Sequence, residues 1–563
     1  MQGSRPNPLA WLAIAGLLAT LTWALTAAPT VDAKVPKSSV KKLRKANCPP
    51  AYQVRVARSA DPEEIQKAKR GVFRIAGEDV KITRDFNWTF DPVGSASFRA
   101  RLHDLRWLDT LLYAYRTNGD HQALRRAKRI VVDWVKSNPR ERPSTDRTWF
   151  DKVAGDRIAY IAYVTRAAKC EGMLGNKRLS RKLLGSVDTH SDFLAPQENY
   201  PVTNRGLFVD MGLILAGKQM RFLPGANKRR KQATRRFLGT VNELTNFEEG
   251  FWLEHSTTYQ FLTIGVIERF LEFERRQRPA LEQLLANMKD TAAWLVEPDK
   301  RWLQAGNSYQ DRANGESRKA AGKQRGLRVL PESGLGFVRK KKEYLSFLAN
   351  FHGPTHKHSD ELSFDLFEKG SRLISDTGLP TKDPTKAYEF AVSAPAHNVL
   401  TVDGADFPRD AASAYGSGIT ASGGGDGWFA IEGRNPLLAR QGVEHSRTLI
   451  YRPGFALIVA DRVRSETPHS YRRYLQFGPD WRLDFLPEKL ELHTRTDSFS
   501  VHSFSTVPEE RRTVRGRKDP FGGFVFPDFG RRDKRVTAWF ASEATSYDSA
   551  MTIATNPKRD AEA

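Results

Sequence analysis

The sequence predicts an α+β protein in which a helical domain precedes an antiparallel β-sandwich. Apolar residues recur at helical spacing from about Ser97 to Leu295, and they alternate in short runs after about Pro331. A chain of 563 residues is long enough for roughly two to four domains. Its hydrophobic content of 40% is sufficient to bury large cores. We therefore expect a helical domain over residues 34–325 and a β domain over residues 326–563.

The N-terminus has the pattern of a secretory signal. Arg5 precedes an uncharged run from Leu9 to Leu25, and Val31 and Ala33 fit a small-residue cleavage site. We predict a signal peptide over residues 1–33, no stable membrane span after cleavage, and a secreted, periplasmic or cell-envelope location. An uncleaved anchor is the alternative, because the run is at the short limit of what crosses a bilayer.

The net charge indicates which class of partner the protein surface binds. The chain carries 89 Lys and Arg against 65 Asp and Glu, a net charge of +24. Such a field favours polyanions: nucleic acid, anionic membranes or acidic polysaccharide. An exported protein does not meet intracellular nucleic acid, so an acidic polysaccharide is the expected partner. A generally basic proteome would give the same balance.

The two cysteines, Cys48 and Cys170, exclude a four-thiolate metal site and a disulfide framework. One bridge in an oxidising compartment and two unpaired buried thiols are both compatible with the sequence.

The helical domain is indicated by several amphipathic stretches. In "FRARLHDLRWLDTLLYAYR", Leu102, Leu105, Leu108, Leu112 and Tyr115 fall on one helix face. Similar stretches follow without alternating runs between them, which predicts an all-α domain. They are "RIAYIAYVTRAAK", "GLFVDMGLILAGKQM" and "FLTIGVIERFLEFERR".

The β domain is indicated by short alternating runs separated by Gly, Pro and Asp turns, as in "HNVLTVDG" and "RTLIYRPGFALIVADRV". This pattern predicts antiparallel strands in a sandwich. The segment "GSGITASGGGDG" is expected to be a surface loop, since it lacks the Lys and the strand-to-helix setting of a phosphate loop.

Candidate metal ligands cluster at the start of the β domain. In "THKHSDELSF", His356, His358 and Asp360 are spaced by two, which puts them on one face if the segment is a strand. Asp376 ends the next alternating segment and His397 begins another. Two histidines and an aspartate from neighbouring strands match the ligands of zinc. Histidines hydrogen-bonded in a polar seam are the alternative.

A second cluster lies in the helical domain, in "EEGFWLEHSTTYQF". His255 and Tyr259 are four residues apart, so on a helix they would share a face and a proton relay. An aromatic face that packs on a neighbouring helix is the alternative.

A third cluster is "ENYPVTNRGLFVDMG". Asn204 precedes an apolar helix and is a candidate N-cap. Its other role would be to offer its amide to a bound carboxylate, with Arg205 beside it.

Together these segments resemble the heparinase II/III-like polysaccharide lyases. The resemblance covers most of the mature chain and is strongest in "HKHSDELSFDLFEKGSRLISDTG" and "AHNVLTVDG". It extends to "TNRGLFVDMGL" and "EHSTTYQF" in the helical domain. The resemblance implies an incomplete (α/α) toroid followed by a C-terminal antiparallel β-sandwich.

The resemblance also implies roles for single residues. Asn204 would contact the uronate carboxylate, and Tyr259 would transfer a proton. His356 would line the active site and, with Tyr388, is a candidate for the second proton transfer. His255 and Tyr388 are expected to contact the substrate.

A structural zinc ion is implied as cofactor. The second histidine of the HxHxD segment, the Asp after the hairpin and the His of AHN would hold it, which here are His358, Asp376 and His397.

Arg205 departs from the family pattern, because many relatives have His directly after the Asn. That histidine acts as base on some uronate epimers, so this branch of the mechanism is not implied here. Arg205 would instead add positive charge near the substrate carboxylate.

The implied function is that of a secreted lyase that cleaves an acidic, uronate-containing polysaccharide by β-elimination. Two other functions remain open from the sequence. A non-catalytic acidic-glycan-binding protein would keep the basic surface without needing Tyr259 and His356 together. A zinc-dependent hydrolase would use His356, His358 and Asp376 with an open metal position.

Overall fold

A computed structural model describes residues 35–48, 60–274 and 278–554. The predicted signal peptide, residues 1–33, lies outside the described residues. Across the described ranges, the helices are either too short or too polar to traverse a bilayer.

The first part of the chain is helical, as the amphipathic stretches predicted. Helices of the first part pack as consecutive pairs, α4 with α5, α6 with α7, α8 with α9 and α10 with α11. Within this set α6, α8 and α10 lie side by side, which gives the toroidal (α/α) arrangement. Their bounds are α1 Lys37–Lys45, α2 Pro62–Arg70, α3 Ala96–His103, α4 Asp109–Asn118, α5 His121–Ser137, α6 Asp151–Cys170, α7 Lys177–Leu194, α8 Asn204–Gln219, α9 Ala226–Glu243, α10 Thr257–Leu271, α11 Arg278–Trp294 and α12 Gly315–Ala321.

Helices α6 and α8 form the interior of this domain, and both are buried on nearly every side. They meet where Gly155 faces Gly212. A Cβ atom on Gly212 would lie 2.0 Å from the carbonyl oxygen of Gly155, so only glycine permits this approach. The contact fixes the position of α8, whose first residue is Asn204.

Two small hairpins interrupt the helical part, where the sequence indicated helices alone. They are β1 (Val72–Ile75) with β2 (Glu78–Lys81), and β3 (Thr245–Asn246) with β4 (Phe251–Trp252). Strands of two to four residues are too short to show an alternating pattern in the sequence.

The C-terminal part is a set of antiparallel sheets, as predicted. Residue bounds of the strands are β5 Gly326–Leu330, β6 Leu335–Lys340, β7 Glu343–Leu348, β8 Asn350–Phe351, β9 Ser363–Glu368, β10 Ser371–Ile374, β11 Leu400–Val402, β12 Gly416–Ser417, β13 Ile419–Gly425, β14 Trp428–Arg434, β15 Val443–Arg452, β16 Ala456–Ser465, β17 His469–Gln476, β18 Arg482–Phe485, β19 Lys489–His493, β20 Ser498–Ser505, β21 Glu510–Arg515, β22 Arg517–Lys518, β23 Phe521–Gly522, β24 Phe524–Val525, β25 Asp533–Lys534, β26 Val536–Ala544 and β27 Tyr547–Ala554. A short helix, α13 (Lys386–Val392), lies between β10 and β11.

Three sheets build the sandwich. Their strand orders are β10-β9-β7-β6-β5, β13-β14-β15-β16-β27-β20-β19-β18 and β11-β17-β26-β21. One apolar core contains Phe347 of the first sheet, Val459 of the second and Phe540 of the third. In β15 inward and outward residues alternate along the whole strand, which explains why the alternating runs predicted the sandwich.

The glycine-rich segment, which was predicted to be a loop, forms two strands that pair with different neighbours. Gly416–Ser417 forms β12, and Ile419–Gly425 forms β13, which pairs with β14 along its length. Most of its side-chain positions are exposed. Glycine has low strand propensity, so backbone pairing with β14 decides this conformation rather than the local sequence.

The cysteine alternatives are also decided by the fold. Cys48 and Cys170 form a disulfide, with Cα atoms 5.5 Å apart. The bridge ties the segment after α1 to the end of α6 and closes a loop of the chain with a sequence separation of 122 residues.

Candidate active site

Tyr259 lies in the first turn of α10, at the junction of the two domains. Its ring stacks on the imidazole of His356, with centroids 3.6 Å apart and an angle of 10° between the planes. Its phenol oxygen accepts a hydrogen bond of 2.9 Å from Nζ of Lys382. One phenol therefore contacts an imidazole and an ammonium group that both come from the β domain.

His356 reaches Tyr259 from a loop between β8 and β9. The condition that His356, His358 and Asp360 lie on one strand face is not met, because residues 352–362 turn and the strand begins at Ser363. The backbone of His356 has a left-handed φ of 61°. Its carbonyl packs so closely on Gly306 that a Cβ atom there would lie 2.6 Å away. The turn points His356 and His358 toward different partners.

The electrostatic surroundings of His356 favour its neutral form. Burial lowers the pKa of His356, and the nearby charges of Lys382 and Arg205 act in the same direction. The carboxylate of Glu254, with Oε2 3.4 Å from Nδ1 of His356, opposes them. The net pKa lies below the usual value, so the imidazole is available as a base at neutral pH.

Asn204 is the first residue of α8, not its cap. The N-cap is Thr203, whose hydroxyl accepts a hydrogen bond from the backbone N–H of Arg205. The amide Nδ2 of Asn204 donates to Oε2 of Glu254 at 2.6 Å, and its backbone N–H donates to Oε1 at 2.8 Å. Since an ionised carboxylate only accepts, Glu254 fixes which way the amide points.

Glu254 connects the two domains through this network. Burial disfavours its charged form, but the contact with His356 and the hydrogen bond from Asn204 outweigh burial and hold the pKa of Glu254 below its usual value. The carboxylate is 2% exposed. A buried, ionised group therefore orients both the Asn204 amide and the His356 ring.

Arg205 and Tyr388 are less closely tied to this centre. The guanidinium of Arg205 pairs with Asp151 at 3.4 Å and lies over the ring of Phe150. It is close enough to affect the pKa of His356. Tyr388 lies on α13, where its backbone N–H bonds to Thr385, and the described contacts do not join its phenol to Tyr259 or His356.

His255 does not share a helix face with Tyr259. It precedes α10 and has a left-handed φ of 61°, so the predicted relay geometry is not formed. Its Nδ1 lies 3.1 Å from the carbonyl oxygen of Thr355, and its Nε2 accepts from the backbone N–H of His352 at 2.8 Å. Both nitrogens therefore hold the loop that presents His356.

His358, Asp376 and His397 converge in the β domain. One ligand atom from each lies within 4.8 Å of the others, and all three residues are buried. His397 Nδ1 lies 2.6 Å from a carboxylate oxygen of Asp376, and His358 Nε2 contacts Asn307 at 2.9 Å. The sequence-predicted trio is therefore brought together by the fold.

The chemistry of this cluster fits a metal ion. Nδ1 of His358 and Nε2 of His397 are buried without a hydrogen-bond partner. Buried polar atoms are normally paired, and imidazole nitrogens with a carboxylate oxygen are the donors that zinc accepts. Asp360 stays outside the cluster, since it pairs with Lys357. His356 also stays outside, since it faces Tyr259.

Two residues of the centre were missed by sequence reasoning. Glu254 directly precedes His255, but a single glutamate beside a helix start carries no distinctive signal. Lys382 lies 123 residues from Tyr259 along the chain. Its loop is held by a backbone hydrogen bond between Phe526 and Thr377. Only the folded chain brings Lys382 to the phenol of Tyr259 and Glu254 to the imidazole of His356.

A cavity of about 440 Å³ lies between the helices that carry these groups. It is lined mainly by α6, α8 and α10 and is largely apolar, with one carboxylate, Asp156, in its wall. Arg101, Arg106 and Arg269 add positive charge to its wall. Asn204, Tyr259 and His356 are not among its lining residues, so the cavity lies apart from the candidate catalytic residues.

Comparison with protein families identifies the chain. Residues 38–285 match the model of the heparinase II/III N-terminus, and residues 322–553 match that of the heparinase II/III-like C-terminal domain. The chain belongs to the heparinase II/III-like family. It is accordingly a polysaccharide lyase, and glycosaminoglycan lyases are its structural neighbours.

Solved structures share the heparinase fold over most of the chain. Heparan sulfate lyase HepC from Pedobacter heparinus is 17% identical, with 92% of this chain and 87% of that chain covered and a TM-score of 0.63. A crystal structure of heparinase III is 13% identical, with coverages of 92% and 89% and a TM-score of 0.75. At these identities the likeness shows the toroid-plus-sandwich fold. A search of curated proteins gives no match.

Proposed function

We propose that this protein is a secreted lyase that cleaves an acidic, uronate-containing polysaccharide, heparan sulfate-like or related, by β-elimination. The observation that carries the proposal is the stacked pair of Tyr259 and His356. Lys382 contacts the phenol of this pair, and Asn204 lies across Glu254 from the imidazole. β-Elimination next to a carboxylate needs two proton-transfer groups and a group that neutralises the carboxylate, and Tyr259, His356 and Asn204 would fill these roles.

Asn204 is suited to bind the uronate carboxylate. One N–H of its amide is held by Glu254, so the other N–H is left to donate to the substrate. Arg205, whose side chain is 41% exposed, adds positive charge beside it. Neutralising the carboxylate lets negative charge develop at C5 when its proton leaves.

Tyr259 and His356 are suited to the two proton transfers. The neutral imidazole can accept a proton, and the phenol can donate or accept one. The Lys382 ammonium donates to the phenol oxygen, which stabilises negative charge that develops there. In the reaction the C5 proton passes to a base, the C4–O4 bond breaks, a C4–C5 double bond forms, and O4 receives a proton.

His358, Asp376 and His397 would hold a zinc ion in a structural role. When bound, the ion would connect three parts of the β domain. They are the loop that carries His356 and His358, the segment from Asp376 to Lys382, and the segment that starts at His397. Asp376 lies six residues before Lys382, so the same segment provides a ligand and the lysine at the phenol.

Secretion is supported by two features. The N-terminal pattern fits a signal peptide, and a disulfide such as Cys48–Cys170 persists mainly in oxidising compartments. The net charge of +24 suits an anionic polymer as substrate.

The decisive experiment is incubation of the full chain with a panel of uronate polysaccharides, including heparan sulfate, other glycosaminoglycans and alginate. An ultraviolet absorbance increase from an unsaturated product is expected with at least one. Binding without such a product would support the glycan-binding alternative. New reducing ends without ultraviolet absorbance would support a hydrolase.

A further inference from the structure

The basic clusters of the sequence are used in different ways by the fold. The segment "KRRKQATRR" (Lys228 to Arg236) on α9 carries six cationic side chains, and half of them are paired with acidic residues. Three arginines form ion pairs there: Arg229 with Asp188, Arg230 with Glu274 and Arg236 with Asp210. A run of basic residues is therefore not by itself a binding surface.

A different cluster keeps its charge. A recess of about 330 Å³ lies between the end of α2 and the outer face of α5. We call it the α2–α5 recess, and its lining residues are Lys69, Gln122, Arg125, Arg126, Lys128 and Arg129. Of its five cationic side chains, Lys69 alone has an acidic partner among the described residues, Asp120 at 2.9 Å.

Two of the other four side chains are held by backbone carbonyls and not by acidic groups. Nη2 of Arg126 donates to the carbonyl of Lys69 at 3.0 Å, and Nζ of Lys128 donates to the carbonyl of Met173 at 2.9 Å. Arg125 and Arg129 are exposed. Burial, and then repulsion from Arg129, holds the pKa of Arg126 and of Lys128 below the usual values. The recess therefore concentrates uncompensated positive charge.

We propose that the α2–α5 recess is a second binding site for the acidic polysaccharide, separate from the catalytic residues; this rests on the proposed function. Guanidinium groups form forked hydrogen bonds with carboxylates and sulfates, and the amide of Gln122 can bond to sugar hydroxyls. The volume is at the lower end of those that hold small ligands. The lining residues include no carboxylate, and the Asp120 carboxylate beside them is paired with Lys69.

The recess is separate from the catalytic centre in the fold. The catalytic groups come from the starts of α8 and α10 and from loops of the β domain. Helix α5 packs on α4, α6 and α7. A polymer that occupies the recess would be held close to the enzyme between cleavages, which raises its effective concentration at the active site. A short oligosaccharide would occupy one site at a time.

The surroundings favour a polysaccharide over a membrane. Proteins that bind membranes at basic surfaces usually insert apolar side chains beside the charges. In the described part of the chain, the large exposed apolar residues lie outside α2 and α5. The recess is therefore suited to a hydrated polyanion.

The test uses the full chain with the double substitution Arg125→Gln and Arg129→Gln. Binding of heparan sulfate is measured by gel mobility in a Tyr259→Phe background, so that turnover is not needed. The dissociation constant is expected to rise about 2- to 30-fold, which corresponds to two exposed charge contacts. Lys341→Gln with Lys342→Gln, at the exposed turn between β6 and β7, removes the same charge and is expected to change binding less than the recess pair.

A second measurement follows catalysis in the enzyme that keeps Tyr259, with and without the recess substitutions. The recess pair is expected to raise KM for the polymer and leave KM for a tetrasaccharide of the same polymer unchanged. Equal effects of the recess pair and the control pair on polymer binding would overturn the proposal. The proposal would also be overturned if the recess pair lost binding to phosphatidylglycerol vesicles but kept its binding to the polymer. That result would indicate a membrane site. If no polymer is cleaved, the proposed function fails. The binding measurement still decides whether the recess binds the polymer.

Discussion

The imidazole of His356 lies face to face with the phenol ring of Tyr259, with ring centroids 3.6 Å apart, although 97 positions separate them in the sequence. The contact joins the helical domain to the β domain. Because each ring comes from a different domain, the proposed proton-transfer pair exists only when the two domains are docked.

Tyr259→Phe is expected to lower kcat by about 10²- to 10⁴-fold, because only the proton-transfer hydroxyl is removed while the ring still stacks on His356. Heparan sulfate binding and the melting temperature should stay close to wild type. The measurement is the ultraviolet absorbance of unsaturated product, with Tyr113→Phe on α4 as the matched control. A near wild-type rate in Tyr259→Phe would refute the role.

Lys382→Met is expected to lower kcat by about 10-fold or more with a smaller change in KM, since the ammonium acts on charge that develops at the phenol oxygen. Lys382 is exposed, so the substitution should not unfold the protein. Lys386→Met, four residues along and also exposed, is the control. An equal loss in both variants would mean that general charge, not the contact with Tyr259, is responsible.

Glu254→Gln is expected to lower kcat/KM by about 10- to 100-fold, because the amide of Asn204 and the ring of His356 lose the carboxylate charge and one of its two acceptor oxygens. Its pH profile should also shift. Glu254 raises the pKa of His356, so its neutralisation lowers that pKa and moves the acid limb of kcat/KM to lower pH. In the wild type this limb should already lie below pH 6.5. Glu248→Gln, an exposed neighbour, should leave the profile unchanged.

One zinc ion per chain is expected at His358, Asp376 and His397. Metal analysis of the purified protein measures it, and His397→Ala should lose the ion while His493→Ala at the surface keeps it. A strong chelator should lower the melting temperature of the wild type and have little effect on His397→Ala. A wild-type protein without stoichiometric metal contradicts the assignment.

Acid should destabilise the fold through buried neutral histidines. Burial, with nearby Arg157 for His103 and Lys357 for His255, lowers the pKa of each to about 3. Between about pH 6.5 and 3 the unfolded chain binds protons that the folded chain does not. The free energy of unfolding should therefore decrease as the pH is lowered through that window, by about 1.4 kcal/mol per pH unit for each histidine.

His255→Gln tests this linkage, because an amide can still donate to Thr355 and accept from His352. Urea unfolding at several pH values between 6.5 and 4.5 should show a shallower dependence in the variant. A slope identical to that of the wild type would mean that His255 does not carry the linkage.

The order of the domains and their classes follow from the sequence. Helical spacing and strand alternation are local properties, and each is imposed by which face of an element is buried, so they predicted a helical domain before a sandwich. The motifs also predicted which residues of the β domain meet, since His358, Asp376 and His397 do converge. The glycine-rich strand β13 was missed because its pairing with β14 outweighs its local propensity.

The tertiary structure decided the rest. It paired Cys48 with Cys170, turned His356 away from His358, and brought Glu254 and Lys382 to the candidate catalytic groups. It also paired three of the four arginines of α9 with acidic residues and left those of α5 without an acidic partner among the described residues. The physical reason is common to all of these: hydrogen bonds and ion pairs depend on distances of a few ångströms between residues far apart in the chain, and periodicity records only which side of an element is buried.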